Sequence, residues 1–117
     1  MQLFLVRHAI ATPPAPERPD AARPLTAEGR TRFVKAVRGL KALGWRFDRL
    51  YHSPLVRAVQ TAELLQPLVD GPTVVMPDLA RAPDEEMLAH LEGSKVALVG
   101  HEPHLGTLLA WLVTGEA

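Results

Sequence analysis

Short apolar runs alternate along this chain with segments of helical period, and that alternation limits the fold more than any other feature. Gln2 to Val6 is nearly continuous in apolar residues and leaves no polar face for water, as expected of a strand covered by helices on both sides. Arg49 to His52, Thr73 to Met76 and Val96 to Val99 read as three further strands. Between them, Phe33, Val34, Val37, Leu40 and Leu43 recur at helical spacing and predict a helix over Ala27 to Leu43. Thr26 stands where an N-cap is needed and Gly44 where the helix must stop. Ser53-Pro54 reads as a cap followed by a first-turn proline, opening a helix to about Leu65 with a stripe of Leu55, Ala58, Val59, Ala62 and Leu65. Asp84 to Leu91 predicts a short helix and Leu105 to Val113 a last one. Strands alternating with helices predict an α/β fold, a three-layer α/β/α domain with a mainly parallel sheet and ligands at the carboxyl ends of its strands. Thr12 to Pro24 holds five of the eleven prolines and is expected to be a surface loop without regular structure.

A chain of 117 residues makes one domain, because two cores of half that size would each be marginal. With 47% hydrophobic and 22% charged residues, it has neither the charge excess of disorder nor a membrane composition. Lys plus Arg equals Asp plus Glu, so no global field draws nucleic acid or an acidic membrane, and any cationic site must be local. The absence of cysteine excludes disulfides, thiolate zinc sites and thiol nucleophiles. Leu108 to Val113, the longest apolar run near the C-terminus, falls well short of the about 20 residues a spanning helix requires. Met1 to Ile10, with its early Arg7-His8, reads as a first strand and not as a signal peptide, and a cytoplasmic protein is expected. His52, His90 and His104 lack metal-ligand spacing, so neither a metal nor another cofactor is expected.

Three segments that could carry chemistry lie just past strands. They are Arg7-His8-Ala9, the run Ser53-Pro54-Leu55-Val56-Arg57-Ala58-Val59-Gln60-Thr61-Ala62, and Val99-Gly100-His101-Glu102-Pro103. The predicted topology brings them to one edge of the sheet as a cationic pocket. The three together resemble the signature of the histidine phosphatase superfamily, which includes the phosphoglycerate mutases, and the match spans nearly the whole chain. Arg23-Pro24-Leu25-Thr26-Ala27-Glu28-Gly29 and Gly100-His101-Glu102-Pro103 look most like the phosphohistidine phosphatases of its SixA-like branch. The resemblance implies a phosphoglycerate mutase-like fold, His8 as the nucleophile that becomes phosphorylated, and Arg7, Arg57 and His101 as the groups that bind the phosphoryl group.

Those residue types suit that chemistry. A phosphoryl group in transfer spreads negative charge over its oxygens, so fixed positive charge and positioning do most of the catalytic work. Arginine forks stay protonated and can each hold two oxygens. His8 must present a neutral ring nitrogen to phosphorus; its ordinary pKa of about 6.5 is expected to fall beside arginines. A carbonyl or carboxylate should hold the other ring nitrogen, and His101 should donate to a phosphoryl oxygen. The helical stripe places Arg57 off the packed face. Arg23 could reach the phosphate or substrate, or anchor the long loop; Glu102 could orient His101 or begin the last helix. Trp45 and Trp111 are expected in packing.

The chain departs from the family pattern in two places. Where mutases and phosphomonoesterases carry a proton-donating acid it has Arg81, and the nearest carboxyls are Asp78, Asp84, Glu85 and Glu86, which suit helix capping and solvent. An absent acid favours phosphohistidine on a protein as substrate, since imidazole is a far better leaving group than an alkoxide. A small-molecule phosphomonoesterase and a non-catalytic phosphate or phosphoprotein binding module are the alternatives. The expected partners are therefore a phosphorylated protein or a small phosphorylated substrate, with no nucleic acid, no membrane and an open oligomeric state. The second departure is length: relatives continue past Val113-Thr114-Gly115, so a final strand is expected to be lacking at the C-terminal end, with the sheet edge exposed or covered by a partner chain.

Overall fold

The computed structural model describes residues 1–115. Four strands, β1 (Gln2–Arg7), β2 (Arg49–His52), β3 (Thr73–Val75) and β4 (Lys95–Gly100), form one sheet in the order β1-β4-β2-β3. All pairings are parallel. The helices are α1 (Ala27–Ala42), α2 (Val56–Leu64), α3 (Glu85–Ala89) and α4 (His104–Thr114). Among the described residues no helix is long and apolar enough to cross a membrane.

Alternation along the strands divides the core into two layers. Phe4 and Val6 of β1, Leu50 of β2 and Ala97 and Val99 of β4 point to one face, where Val37 of α1 and Ala58 and Ala62 of α2 cover them. Leu3, Leu5, Tyr51, Val96 and Leu98 point to the other, against Met87 of α3 and Leu108 of α4. Such runs must be apolar throughout because neither face meets water. Leu50, Leu98 and Leu108 are fully buried, and truncating any of them to alanine should cost about 2–5 kcal/mol. Asp48 ties the strand starts together: its carboxylate accepts from the amides of Lys95, which opens β4, and of Ser94 just before it.

The ends of α1 follow local chemistry. Thr26 accepts from Gly29 N at 2.8 Å, and Gly44 adopts φ 83°, the left-handed turn that ends the helix. Elsewhere the structure corrects the sequence reading. Leu55, and not Ser53, is the N-cap residue of α2, so Pro54 precedes the helix instead of opening it. The segment from Thr12 to Pro24 contains a 3-10 turn over Asp20–Ala22 and is closed at its base by Thr12 N donating to Pro24 O at 2.8 Å.

Among the described residues β1 pairs only with β4, which makes it an edge strand. An apolar groove of about 480 Å³ follows this edge, with Phe4, Val6, Phe33, Leu40, Trp45 and Leu109 on its walls. Trp45 packs edge-on against Phe4 at 5.3 Å and is itself 40% exposed.

Gly29 is where α1 passes closest to the segment after β1: a Cβ there would lie 2.5 Å from Ile10 O. Gly39, on the same helix, has open space around it. The two glycines should therefore respond oppositely to alanine in thermal unfolding. Gly39→Ala should stabilise by about 0.5–1 kcal/mol through backbone entropy. Gly29→Ala gains the same entropy but forces α1 away from Ile10, and overpacking of about 1–3 kcal/mol should leave a net fall in Tm. A rise in Tm for both would show that the contact at Ile10 yields freely.

Candidate active site

Parallel register builds the site. Arg7 pairs with Gly100 in β1 and β4, and the His8 amide extends the ladder by donating to Gly100 O at 3.2 Å. His8 and His101 therefore leave the sheet side by side, their ring centroids 5.1 Å apart and their planes tilted by 51°. On the other side of β4, Ser53 N donates to Val99 O at 3.0 Å, which brings the end of β2 to the same edge.

The polar residues of the Ser53 to Ala62 run each hold a different segment in place, while Ala58 and Ala62 pack into the core. Ser53, fully buried, places its Oγ 2.7 Å from His101 Nε2 and accepts from Leu55 N at 3.2 Å. Gln60 Oε1 accepts from Leu25 N at 2.8 Å. Thr61 Oγ1 donates to Arg57 O at 2.7 Å and accepts from Ala9 N at 3.0 Å, joining the residue after His8 to the helix that carries Arg57. This arrangement explains why polar residues interrupt an otherwise small, apolar helix surface. The sequence reading gave Ser53, Gln60 and Thr61 no such roles; hydroxyl and amide groups spaced among alanines are the signal that could have found them.

Arg57 does not stand off the packed face as its helical position suggested; it is buried, 7% exposed. The cover comes from the proline-rich loop. Arg57 Nη1 donates to Asp20 O at 2.9 Å and its Nη2 to Asp20 Oδ2 at 3.1 Å. Arg23 reaches the same carboxylate, Nη1 to Oδ1 at 2.8 Å, and also donates through Nε to Thr12 O at 2.8 Å. Arg23 thus anchors the loop and also faces the site. Asp20, which sequence reasoning missed, bridges two guanidinium groups, and bonds from Arg23 and then Arg57 hold its carboxyl below the usual range.

Beside this bridge opens a hollow of about 320 Å³ lined by Arg7, His8, Ala9, Ile10, Ala11 and Arg23. Arg7 is exposed at its rim and His8 is half-buried on its wall. Arg57 and His101 are not on that wall, but the charge of Arg57 reaches His8 and the His101 ring lies beside it. His8 Nδ1 lies 2.7 Å from Ala9 O. A carbonyl can only accept, so Nδ1 carries the proton and Nε2 keeps its lone pair. Burial lowers the His8 pKa below 6.5; the Ala9 bond opposes this, while Arg57, Arg7 and Arg23 reinforce it. His101 is pushed down to about 4, first by burial and then by Arg57, His8 and His104, against the opposing charge of Asp20. A neutral imidazole with a free Nε2 lone pair, set beside a second imidazole and three guanidinium groups, can attack phosphorus while the positive charge holds its oxygens.

The carboxyl groups weighed as proton donors are engaged or exposed. Asp78 pairs with Arg81 at 3.0 Å, Asp84 caps α3 by accepting from Met87 N at 2.8 Å, and Glu85 and Glu86 face solvent. Glu102 accepts from Gly106 N at 3.2 Å in the first turn of α4, so it serves the helix and not His101. Among the described residues no three His, Asp or Glu side chains are grouped to hold a metal ion.

Comparison with known proteins agrees with this fold. The model of the histidine phosphatase superfamily (branch 1) matches residues 3–82. An uncharacterized protein of Picosynechococcus sp. is 41% identical over 99% of this chain and 75% of its own length. The phosphohistidine phosphatase SixA of Escherichia coli is 31% identical over 99% of this chain and 76% of its own. The solved structure of a protein histidine phosphatase SixA complexed with tungstate superposes with a TM-score of 0.82 at 30% identity, covering 96% of this chain and 76% of that one. The chain thus belongs to the histidine phosphatase superfamily, as a phosphatase of its SixA-like branch.

Proposed function

We propose that this phosphatase removes phosphoryl groups from phosphohistidine in proteins, without a metal ion, through an intermediate on His8. One observation carries the reading: His8 Nδ1 is committed to Ala9 O, which leaves Nε2 as the nucleophile beside His101 and the guanidinium groups of Arg7, Arg23 and Arg57. Nε2 forms a bond to phosphorus as the substrate's phosphorus–nitrogen bond breaks. The substrate imidazole, protonated on its free ring nitrogen, departs neutral. Water then attacks the phosphorus, the Nε2–phosphorus bond breaks, and inorganic phosphate leaves. The arginines supply the positive charge that both transfers require.

The choice of substrate follows from the carboxyl groups. Asp78, Asp84, Glu85 and Glu86 are engaged or solvent-facing, and Asp20 is held ionised by two arginines. An alkoxide leaving group needs an acid that none of these supplies; an imidazole, whose conjugate acid has a pKa of about 6.5, does not. The resemblance to the phosphohistidine phosphatase SixA supports the same choice.

The decisive experiment compares kcat/KM on a histidine-phosphorylated protein with that on sugar phosphates, with and without chelator, and traps the enzyme in acid-free quench. Turnover of the phosphohistidine protein unaffected by chelator, with an acid-labile, base-stable adduct on His8, is expected. Turnover of sugar phosphates alone would move the assignment to a small-molecule phosphomonoesterase. Binding of phosphoprotein that survives His8→Ala, with no turnover by the unaltered protein, would make the chain a binding module.

Loss of a preorganised anion-stabilising donor should lower kcat by about 10²–10³ in Arg57→Ala, measured on the same substrate. Proton NMR of the two ring signals tests the electrostatics: the His8 midpoint should fall below 6.5 and that of His101 near 4. With both folded-state values depressed, the unfolded chain binds more protons between about 4 and 6.5. The stability contributed by keeping these rings neutral is complete above that window and declines as pH falls through it. Midpoints at or above 6.5 would contradict the burial assigned to the pair.

A further inference from the structure

His101 has one ring nitrogen engaged and one spare. Its Nε2 lies 2.7 Å from Ser53 Oγ, while its Nδ1 is buried and has no hydrogen-bond partner among the described residues. A neutral ring carries a single proton, so the Ser53 contact decides which nitrogen bears it.

Ser53 is itself fully buried and already accepts from Leu55 N at 3.2 Å. Its hydroxyl has one proton to place, and among the described residues His101 Nε2 is the acceptor in reach. If His101 donated from Nε2 instead, the hydroxyl proton would be left without an acceptor in the core, and a bare Nδ1 lone pair would be left to confront a phosphoryl oxygen. Both outcomes are unfavourable: the first leaves a buried donor unsatisfied and the second sets lone pair against oxyanion. With the hydroxyl donating, Oγ accepts one bond and donates one, and the ring proton sits on Nδ1.

We propose that Ser53 is a positioning residue for phosphoryl transfer: its hydroxyl donates to His101 Nε2 and fixes the ring as the Nδ1–H tautomer, so that this N–H is the donor to the phosphoryl oxygen. The assignment goes beyond the proposed function while resting on it for the identity of the acceptor. It gives the serine of the Ser53-Pro54-Leu55 run a chemical duty in place of the helix-capping one its sequence suggests. The two imidazoles then play complementary parts. The Ala9 carbonyl keeps the proton of His8 on Nδ1 and frees Nε2 to attack; the Ser53 hydroxyl keeps Nε2 of His101 as acceptor and frees Nδ1–H to donate.

Nitrogen-15 correlation spectra of the histidine rings in the unliganded protein read the tautomer directly, independently of turnover. His101 should be protonated on Nδ1 in the unaltered chain, and inorganic phosphate should shift that N–H signal. Ser53→Ala should lose the tautomer preference and lower kcat by about 10- to 100-fold, by analogy with removal of the outer partner of a metal-bound histidine. KM should change much less. Ser53→Thr, which keeps the hydroxyl, should restore the Nδ1–H signal and part of kcat; thermal unfolding of each variant separates this from loss of fold. An Nε2–H ring in the unaltered protein overturns the proposal, as does a Ser53→Ala variant with unchanged tautomer and kcat. If no phosphoryl donor is turned over while phosphate still shifts an Nδ1–H signal, the functional reading fails and the role of Ser53 stands as anion binding.

Discussion

The His8 amide donates to Gly100 O, one step beyond the pairing of Arg7 with Gly100, and this hydrogen-bonded register sets the distance between the two imidazoles. Side chains alternate faces along a strand, so a slip of one residue would turn His8 away from His101 and also drive Phe4 and Val6 out of their core layer. The same apolar alternation that stabilises the sheet therefore fixes the site. The second anchor is Thr61, whose hydroxyl links Ala9 N to Arg57 O, so the end of β1 and the first turn of α2 cannot move independently.

Charge is managed in the same economical way. A buried arginine is costly unless paired and hydrogen-bonded. Arg57 meets that condition through the carbonyl and carboxylate of Asp20, and the carboxylate also takes a bond from Arg23. An arriving phosphoryl group presents the same chemistry as that carboxylate, namely anionic oxygens spaced for guanidinium forks. On the proposed reading, substrate binding exchanges one anion for another at Arg57 instead of desolvating a bare cation.

Much of this was legible in the sequence, and the parts that were not share a cause. The strands, the Thr26 cap and the stop at Gly44 depend on neighbours in the chain, and local pattern expresses them well. His8, Arg57 and His101 could be placed at strand ends because a parallel α/β topology leaves few other arrangements. The burial of Arg57 could not be read, since its cover comes from Asp20, 37 residues earlier, in a segment whose prolines signal only a loop. Ser53 misled for a related reason. Serine before proline is a local signal for a helix start, but the hydroxyl is taken by His101, 48 residues away, and the helix begins later. Glu102 went the other way: two roles fitted the sequence equally, and the Gly106 amide in the next turn decides between them.

The position of β1 in the sheet has a mechanical consequence. Among the described residues the strand that delivers His8 has a backbone ladder on one side only, while β4, which delivers His101, has one on both. Beside the Thr61 link and the core contacts of Phe4 and Val6, that ladder is what holds the two imidazoles together, so separating β1 from β4 would dismantle the pair. Local fraying of that edge would cost the site without global unfolding. Any strand that docked along the free edge would act as a splint, stiffening His8 from a distance without touching its ring.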